Sequence, residues 1–357
     1  MLTRITRFST LKRWGMDVAT IWGLWLFNLM QPRKGAARSL SEELLSLGAR
    51  NADSGQILQA CHTSWTTNFF LGDFKYTSEQ ARRGRELYDA SEHRAHKFLY
   101  GGHDPGVCSR MFGAASAFVL GFPDQALAVI RQGLDLARML DHPLSLLLAE
   151  QWLVMIHLLR GETREVVPIL DLAIRVASEA GIPRQMWANF LNGWALSNDC
   201  RASDGVSRAL LDFDAVGAAG QEVFRPYYTG VLADMCRAAG RLDDGLGFVD
   251  KALALAPSQD SQWCLAELHR IKGELMLARG ELTAAVEPRF ETAIAIAREQ
   301  SARSWELRAT VSLARLRHSQ GRSAEAKRLL APIYGWFTEG FDTPVLQDAK
   351  ALLDQLA

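Results

Sequence analysis

The sequence has little of what catalytic, secreted and nucleic-acid-binding proteins commonly carry. Its five cysteines are odd in number and at least 28 residues apart, so they form neither a CxxC pair nor a disulfide framework. We therefore expect a reducing, cytoplasmic setting. No charge sign is in excess, because 40 Lys and Arg balance 40 Asp and Glu. That balance argues against a generally basic nucleic-acid-binding protein.

The motifs of common reactions are missing too. The chain has no GxxxxGK[ST] phosphate loop, no HExxH, no GxSxG and no dinucleotide fingerprint after a strand. We therefore predict that the chain is not an enzyme and that it needs no cofactor.

Long hydrophobic runs are also scarce, and one short run stands out, at 18–30 (VATIWGLWLFNLM). Basic residues flank it, as in a signal peptide. It is shorter than the ~20 residues that span a membrane, and no small-residue cleavage site follows it. We predict a packed helix, with a membrane anchor or a cleaved signal as alternatives, and we expect no membrane partner.

What the chain does have is a repeat of about 40 residues. Glycines that precede a polar turn recur at intervals of 40, 79, 40 and 41 residues: Gly121, Gly161, Gly240, Gly280 and Gly321. A polar turn without its glycine lies near Cys200, and earlier turns lie at Gly72 and Pro32. Eight units result, and extra residues between the second and third fall around FLYGGHDPG (98–106). Such a period indicates an array of repeats.

Small residues support a helical hairpin in each unit. Seven residues before the turn stand Ala114, Gly193, Ala233, Gly273 and Ala314, and five residues after it stand Ala37, Ala126, Gly205, Gly245, Ala285 and Ala326. Two antiparallel helices approach closely only where side chains are small. Both arms have helical apolar spacing, and each hairpin leaves an apolar face for its neighbour to cover. We predict an all-α right-handed solenoid of about eight hairpins.

The turn glycine and the two small-residue positions resemble the tetratricopeptide repeat (TPR) family over residues 14–338, with a longer period than the family's 34. Four segments are also similar to the C-terminal region of bacterial proteins that join a class III adenylate/guanylate cyclase domain, an ATPase module and TPR-like repeats. These segments are 101–108, 191–198, 266–277 and 329–356. The resemblance implies an association with cyclase or ATPase signalling, whose catalytic modules lie outside the matched region.

The ends of the array suggest different roles. We predict a tail at 1–13, the array at 14–338 and a capping helix within 339–357, opened by Asp342-Thr343-Pro344 and sealed by Leu346, Leu352 and Leu353. At the other end no polar capping repeat precedes the array. We therefore expect an exposed apolar patch that docks a partner or a second copy of the chain, formed by Trp14, Trp22, Trp25 and Phe27.

One cluster raises the question of a metal: His93, His96, His103 and Asp104, with Cys108 nearby. The helical spacing of His93 and His96 suits a borderline metal ion. The alternative, which we favour, is that Asp104 caps a helix with Pro105 at its first position. On that interpretation His93 and His96 lie on a solvated face.

Binding residues are expected on the first arm of each hairpin, which faces the concave side of a solenoid. The inward positions are Gln151, Trp187, Trp194, Tyr227, Asp234, Arg270, Glu274 and Arg308. Trp, Tyr and Arg often dominate binding energy, so these residues suit a protein or peptide segment. Alternatively, the tryptophans fill hairpin cores and the charges are merely solvated. We predict a non-catalytic interaction or sensory module, and the competing function is a receptor for a small effector molecule.

Overall fold

The structure, a computed structural model, describes residues 17–179, 185–198, 201–211, 213 and 222–356. These residues form eighteen α-helices and no strand. The helices are α1 (Val18–Met30), α2 (Lys34–Asn51), α3 (Ser54–Phe70), α4 (Phe74–Leu87), α5 (His96–Leu99), α6 (Pro105–Leu120), α7 (Pro123–Met139), α8 (Pro143–Arg160), α9 (Val166–Glu179), α10 (Gln185–Ser197), α11 (Ala202–Leu210), α12 (Arg225–Ala238), α13 (Leu242–Ser258), α14 (Leu265–Ala278), α15 (Thr283–Glu299), α16 (Arg303–Ser319), α17 (Ser323–Tyr334) and α18 (Pro344–Gln355).

The helices pair into eight hairpins: α1–α2, α3–α4, α6–α7, α8–α9, α10–α11, α12–α13, α14–α15 and α16–α17. Each of the eight turns inferred from the repeat lies between the two arms of one hairpin. The short helix α5 and its flanking loops are the extra residues between the second and third hairpins. The predicted solenoid of TPR-like hairpins with a C-terminal capping helix is thus confirmed.

Small residues mark the hairpin crossings, with one exception. A Cβ atom added to Gly193 of α10 would lie 2.5 Å from the carbonyl oxygen of Gly205 of α11, so these two backbones touch. Ala285, in contrast, is exposed, and its predicted place at a crossing is wrong. In that hairpin Gly273 meets the ring of Phe290, because an added Cβ would lie 2.5 Å from its Cε1 atom.

First arms such as α3 and α6 form an inner layer that is buried on nearly all sides. Every residue of α3 from Leu58 to Phe70 is buried, whereas outer arms such as α7 bury one face only. Rings from separate hairpins meet inside this layer. The ring centroids of Phe112 and Trp152 are 4.7 Å apart. The predicted concave wall is therefore largely an inner core, since helices that are apolar all round need cover on every side.

The superhelix closes on itself, so early and late hairpins touch. The backbone N–H of Lys34 donates to the Asp260 carboxylate at 3.1 Å, and its ammonium group donates to the Gln259 carbonyl. The carbonyl oxygen of Phe70 accepts from the N–H groups of Gln262 and Trp263, at 2.7 and 3.2 Å. These contacts join residues about two hundred positions apart in the chain.

The two ends of the array differ from each other. The run 18–30 forms helix α1, as predicted, but Trp22 and Trp25 are buried because α1 packs them against α3. Of the expected apolar patch only Phe27 is exposed, and Trp14 and the tail at 1–13 lie outside the described residues. At the other end Leu346 and Leu352 of α18 are buried on the last hairpin. No described helix combines the length and hydrophobicity that crossing a membrane requires.

Candidate ligand-binding cavity

A cavity of about 370 Å³ lies inside the superhelix, among the first four hairpins, the inserted loop and the turn before α12. Helix α1 contributes Trp22, Trp25 and Leu29, which share one face at helical spacing. Aromatic rings form much of the rest of the wall: Phe70, Phe112, Trp152 and Phe224. The volume lies in the range of small-ligand sites, which are mostly apolar with few polar groups.

The polar groups of the wall are uncharged. Desolvation by burial lowers the pKa of His62 well below its ordinary value, because the ring is stacked on Trp65 at 5.1 Å between centroids. Burial also lowers the pKa of His103. The indole N–H of Trp22 is buried without a hydrogen-bond partner. Near neutral pH the cavity therefore presents neutral imidazoles in an aromatic surround.

Of the eight predicted inward residues, Gln151 reaches this cavity, at its half-buried place on α8. Trp194 of α10 and Tyr227 of α12 are buried in the main hydrophobic core, where Tyr227 contacts Trp263 at 4.7 Å between ring centroids. Trp187 belongs to α10, but its side chain lies outside the described part of the chain.

The predicted charges lie elsewhere in the superhelix, and each of them pairs with a group of opposite charge. Glu267, which the sequence analysis did not single out, accepts from Arg270 at 2.8 Å and from Arg308 at 3.0 Å. Burial favours a higher pKa for Glu267, but the two guanidinium groups outweigh it and hold the value at about 2. Arg270 also lies 3.8 Å from Glu274. Asp234 pairs with Arg237 at 2.7 Å.

This network changes the interpretation of the charges. Arg308 donates across the superhelix to the carbonyl of Leu159 at the end of α8 and lies over the ring of Trp305. Its charge is thus engaged in closing the interior. Arg270 and Arg308 are therefore neither isolated nor merely solvated, because both pair with the buried Glu267.

The histidines of the possible metal site separate into two groups. His93 is buried and His96 is half-buried, so their predicted solvated face is wrong. The His93 ring stacks on Tyr88, and Gln59 of α3 donates to His96. Asp104 caps α6 as predicted, accepting from the N–H of Val107 at 3.1 Å. His103 instead lies beside His62, with ring centroids 5.1 Å apart.

His62 is central to this wall and was not predicted from the sequence. Its signal was weak but present: a histidine three residues before Trp65, in a first arm with few charged residues. No repeat position marks it, and its ring meets the inserted loop at His103 as well as Trp22 and Trp25 of the first hairpin.

Comparisons with known proteins support the fold. A family model described as "Tetratricopeptide repeat" matches residues 307–332, within the last hairpin. A relative from Rhizobium meliloti (strain 1021), "Uncharacterized protein R02095", is 24% identical over 300 residues, which is 83% of this chain but 28% of that protein. The chain thus spans less than a third of that relative's length.

Two solved structures are similar over nearly the whole chain. A Rap protein complexed with competence and sporulation factor matches with a TM-score of 0.59 and 10% identity, covering 95% of this chain and 96% of that one. NprR in complex with its cognate peptide NprX matches with a TM-score of 0.50 and 13% identity, covering 96% and 83%. At such identities the likeness concerns the fold, and it confirms the TPR-like character of the array.

Proposed function

We propose that this chain is a non-catalytic sensory module that binds an apolar segment of a protein or peptide in its aromatic cavity. The observation that carries the proposal is the composition of the cavity wall, which draws residues from the first four hairpins and from the turn before α12. A ligand held there would touch several repeats at once. It would therefore bias how those repeats pack, as a sensory element requires.

The chemistry of the wall defines the ligand. The neutral imidazoles and the rings of Trp25 and Trp152 favour an aromatic or aliphatic side chain over a charged one. The likeness to NprR, solved with a cognate peptide, supports the choice of a peptide.

A small apolar effector is the second candidate, because a volume of about 370 Å³ also suits a compact molecule. It differs from the peptide in having no chain that leaves the cavity. Both ligands would act on the same wall, so one set of variants tests both.

The partner that receives the signal belongs to the same proposal. The resemblance to the repeat region of cyclase–ATPase proteins supports a catalytic partner of that kind, and the Rhizobium meliloti relative has ample length for further domains. The test adds the purified chain to a class III cyclase from the same genome and measures cyclic nucleotide formation. A rate unchanged by saturating chain would exclude this partner.

Cavity occupancy is tested by selecting a random heptapeptide display library on the full chain and measuring the enriched peptides by calorimetry. Leu148→Phe narrows the cavity, because Leu148 lines its wall. The matched control is Leu282→Phe, the same change at a position that is 82% exposed. We expect enriched peptides to carry a large apolar residue and to lose at least about tenfold in affinity with Leu148→Phe alone, or ~1.4 kcal/mol.

The outcomes separate the two candidates. A set of apolar fragments is screened in parallel. If some fragments bind with an affinity that Leu148→Phe lowers, and no peptide is enriched, the ligand is a small effector rather than a peptide. Peptides that bind wild type and Leu148→Phe equally would show that the cavity is not the site. Quenching of the intrinsic fluorescence of Trp22, Trp25 and Trp152 provides a second readout of occupancy.

A further inference from the structure

Three potential metal ligands from three structural elements meet at the wall of the cavity. They are His62 of α3, His103 of the inserted loop and Cys108 of the first turns of α6. One nitrogen of each imidazole and the Cys108 sulfur all lie within 4.8 Å of one another. His62 and Cys108 are buried and His103 is half-buried, so the cluster lies largely away from water.

The hydrogen bonds of the two histidines leave the same nitrogen of each ring with a lone pair. Nδ1 of His103 lies 3.1 Å from the carbonyl oxygen of Gly101. A carbonyl only accepts, so this Nδ1 carries the proton and Nε2 has the lone pair. Nδ1 of His62 lies 3.2 Å from Oε1 of Gln59, whose amide nitrogen is committed to His96 at 2.9 Å. His62 therefore also donates through Nδ1.

This is the arrangement that metal-binding histidines use. Their second ring nitrogen donates to a carbonyl or amide oxygen, which fixes the tautomer and the orientation of the ring. The low pKa values of His62 and His103 keep both rings neutral, as coordination requires.

The third ligand is a thiol in an apolar surround. Burial raises the pKa of Cys108 to about 12, so the free side chain is protonated and inert. The indole N–H of Trp65 donates to its sulfur at 3.4 Å, a bond that would also stabilise a thiolate. Asp104 is excluded as a ligand, because its carboxylate accepts from Tyr88 at 2.9 Å and caps the helix.

We propose that Nε2 of His62, Nε2 of His103 and the Cys108 sulfur bind a divalent metal ion of the Zn²⁺ class, with the fourth coordination position facing the cavity. Two imidazoles and one thiolate suit a borderline ion and disfavour Mg²⁺ or Ca²⁺, which prefer oxygen. Binding releases the thiol proton to water. A tetrahedral ion needs donor atoms about 3.5 Å apart. His103 is the ligand that would move closer to the other two, because its loop contains Gly101 and Gly102 at positive φ.

The proposal differs from the metal site considered from the sequence. That site grouped His103, with Cys108 nearby, with His93, His96 and Asp104, whereas the fold groups His103 and Cys108 with His62. It also stands apart from the proposed function, because a metal can bind whether or not the cavity takes a peptide.

The full chain is first freed of metal by a chelator and verified as folded by circular dichroism. It is then titrated with Co²⁺ and afterwards with Zn²⁺. We expect one Co²⁺ per chain, a thiolate-to-cobalt charge-transfer band in the near ultraviolet, and displacement of that band by Zn²⁺. Cys108→Ser should remove the band, and His103→Asn should weaken Co²⁺ binding at least about tenfold. The matched control is Cys236→Ser, another buried cysteine, which should leave the titration unchanged.

Opposite results would overturn the proposal. These are the lack of a charge-transfer band in the folded wild type, a band that survives Cys108→Ser, or a band lost in His93→Gln/His96→Gln but kept in His103→Asn. If Cys108→Ser does not fold, the Co²⁺ affinity of His103→Asn tests the proposal instead, because the ring of His103 is half-buried on a loop. The spectrum requires no peptide, so the failure of peptide binding and the failure of this site are distinguishable.

Discussion

Arg308 holds the interior of the superhelix closed, and its replacement by methionine gives the sharpest test of that closure. The guanidinium group connects three elements: it pairs with Glu267 of α14 at 3.0 Å, donates to the carbonyl of Leu159 at the end of α8, and lies 5.0 Å from the ring centroid of Trp305. Methionine keeps most of the apolar stem and removes the charge and the donors.

The expected loss follows from what each partner retains. Glu267 keeps its two bonds to Arg270, at 2.8 and 2.9 Å, so the full ~3–5 kcal/mol penalty of an unpaired buried charge does not apply. Leu159, however, is in the last turn of α8, where carbonyls have no partner within the helix. A charged hydrogen bond contributes ~1.5–3 kcal/mol, and orphaning its buried partner adds to the cost. We expect the free energy of unfolding to fall by about 2–4 kcal/mol.

Urea denaturation followed by circular dichroism measures this loss, and Arg315→Met is the control on the same helix. Arg315 pairs with Asp348 at 2.6 Å, but both side chains are about half exposed, so its removal should cost under about 1 kcal/mol. Hydrogen exchange should speed up at the end of α8 in Arg308→Met only. Equal destabilisation by the two variants would refute the assignment of Arg308 as a closing contact.

Four further variants test the packing and the electrostatics by urea denaturation. Gly273→Ala should destabilise by about 1–3 kcal/mol, because the added Cβ would lie 2.5 Å from the Phe290 ring. The control Gly247→Ala, on an open helix surface, should stabilise by roughly 0.5–1 kcal/mol. Equal effects of the two substitutions would contradict the close packing of Gly273 on Phe290. Burial lowers the pKa of Lys34 from 10.5 to about 8. Between these two pH values the unfolded chain binds more protons than the folded chain, so the free energy of unfolding rises with pH. Lys34→Met should lack this rise, and parallel pH curves for variant and wild type would contradict this role of Lys34. Asp104→Ala should lower stability by ~1 kcal/mol through loss of the α6 cap, and an unchanged midpoint would argue against the cap.

Most of the fold could be predicted from the repeat, because each hairpin depends on residues that are close in sequence. Gly121 and the other turn glycines, with the small residues at fixed distances from them, specify where the chain reverses and where its arms cross. Ala285 shows the limit of that pattern: Gly273 alone makes room for a large ring, so the second small residue was not needed.

The site depended on contacts that no period encodes. The repeat predicted an inward position for Gln151, which lines the cavity. The pairing of Arg270 and Arg308 with Glu267, in contrast, requires knowing how far the superhelix curls. His62 and His103 meet because an inserted loop folds back over α3, and such an insertion breaks the repeat by definition.

The joining of early and late hairpins has a consequence for how this chain tolerates change. In an open solenoid each repeat contacts only its neighbours, so repeats can be added or removed with local effect. Here the carbonyl of Phe70 is tied to Gln262 and Trp263, which resembles the closing of a ring. Inserting one hairpin would pull the two edges of that ring out of register, so the number of repeats is itself a fixed dimension of the molecule.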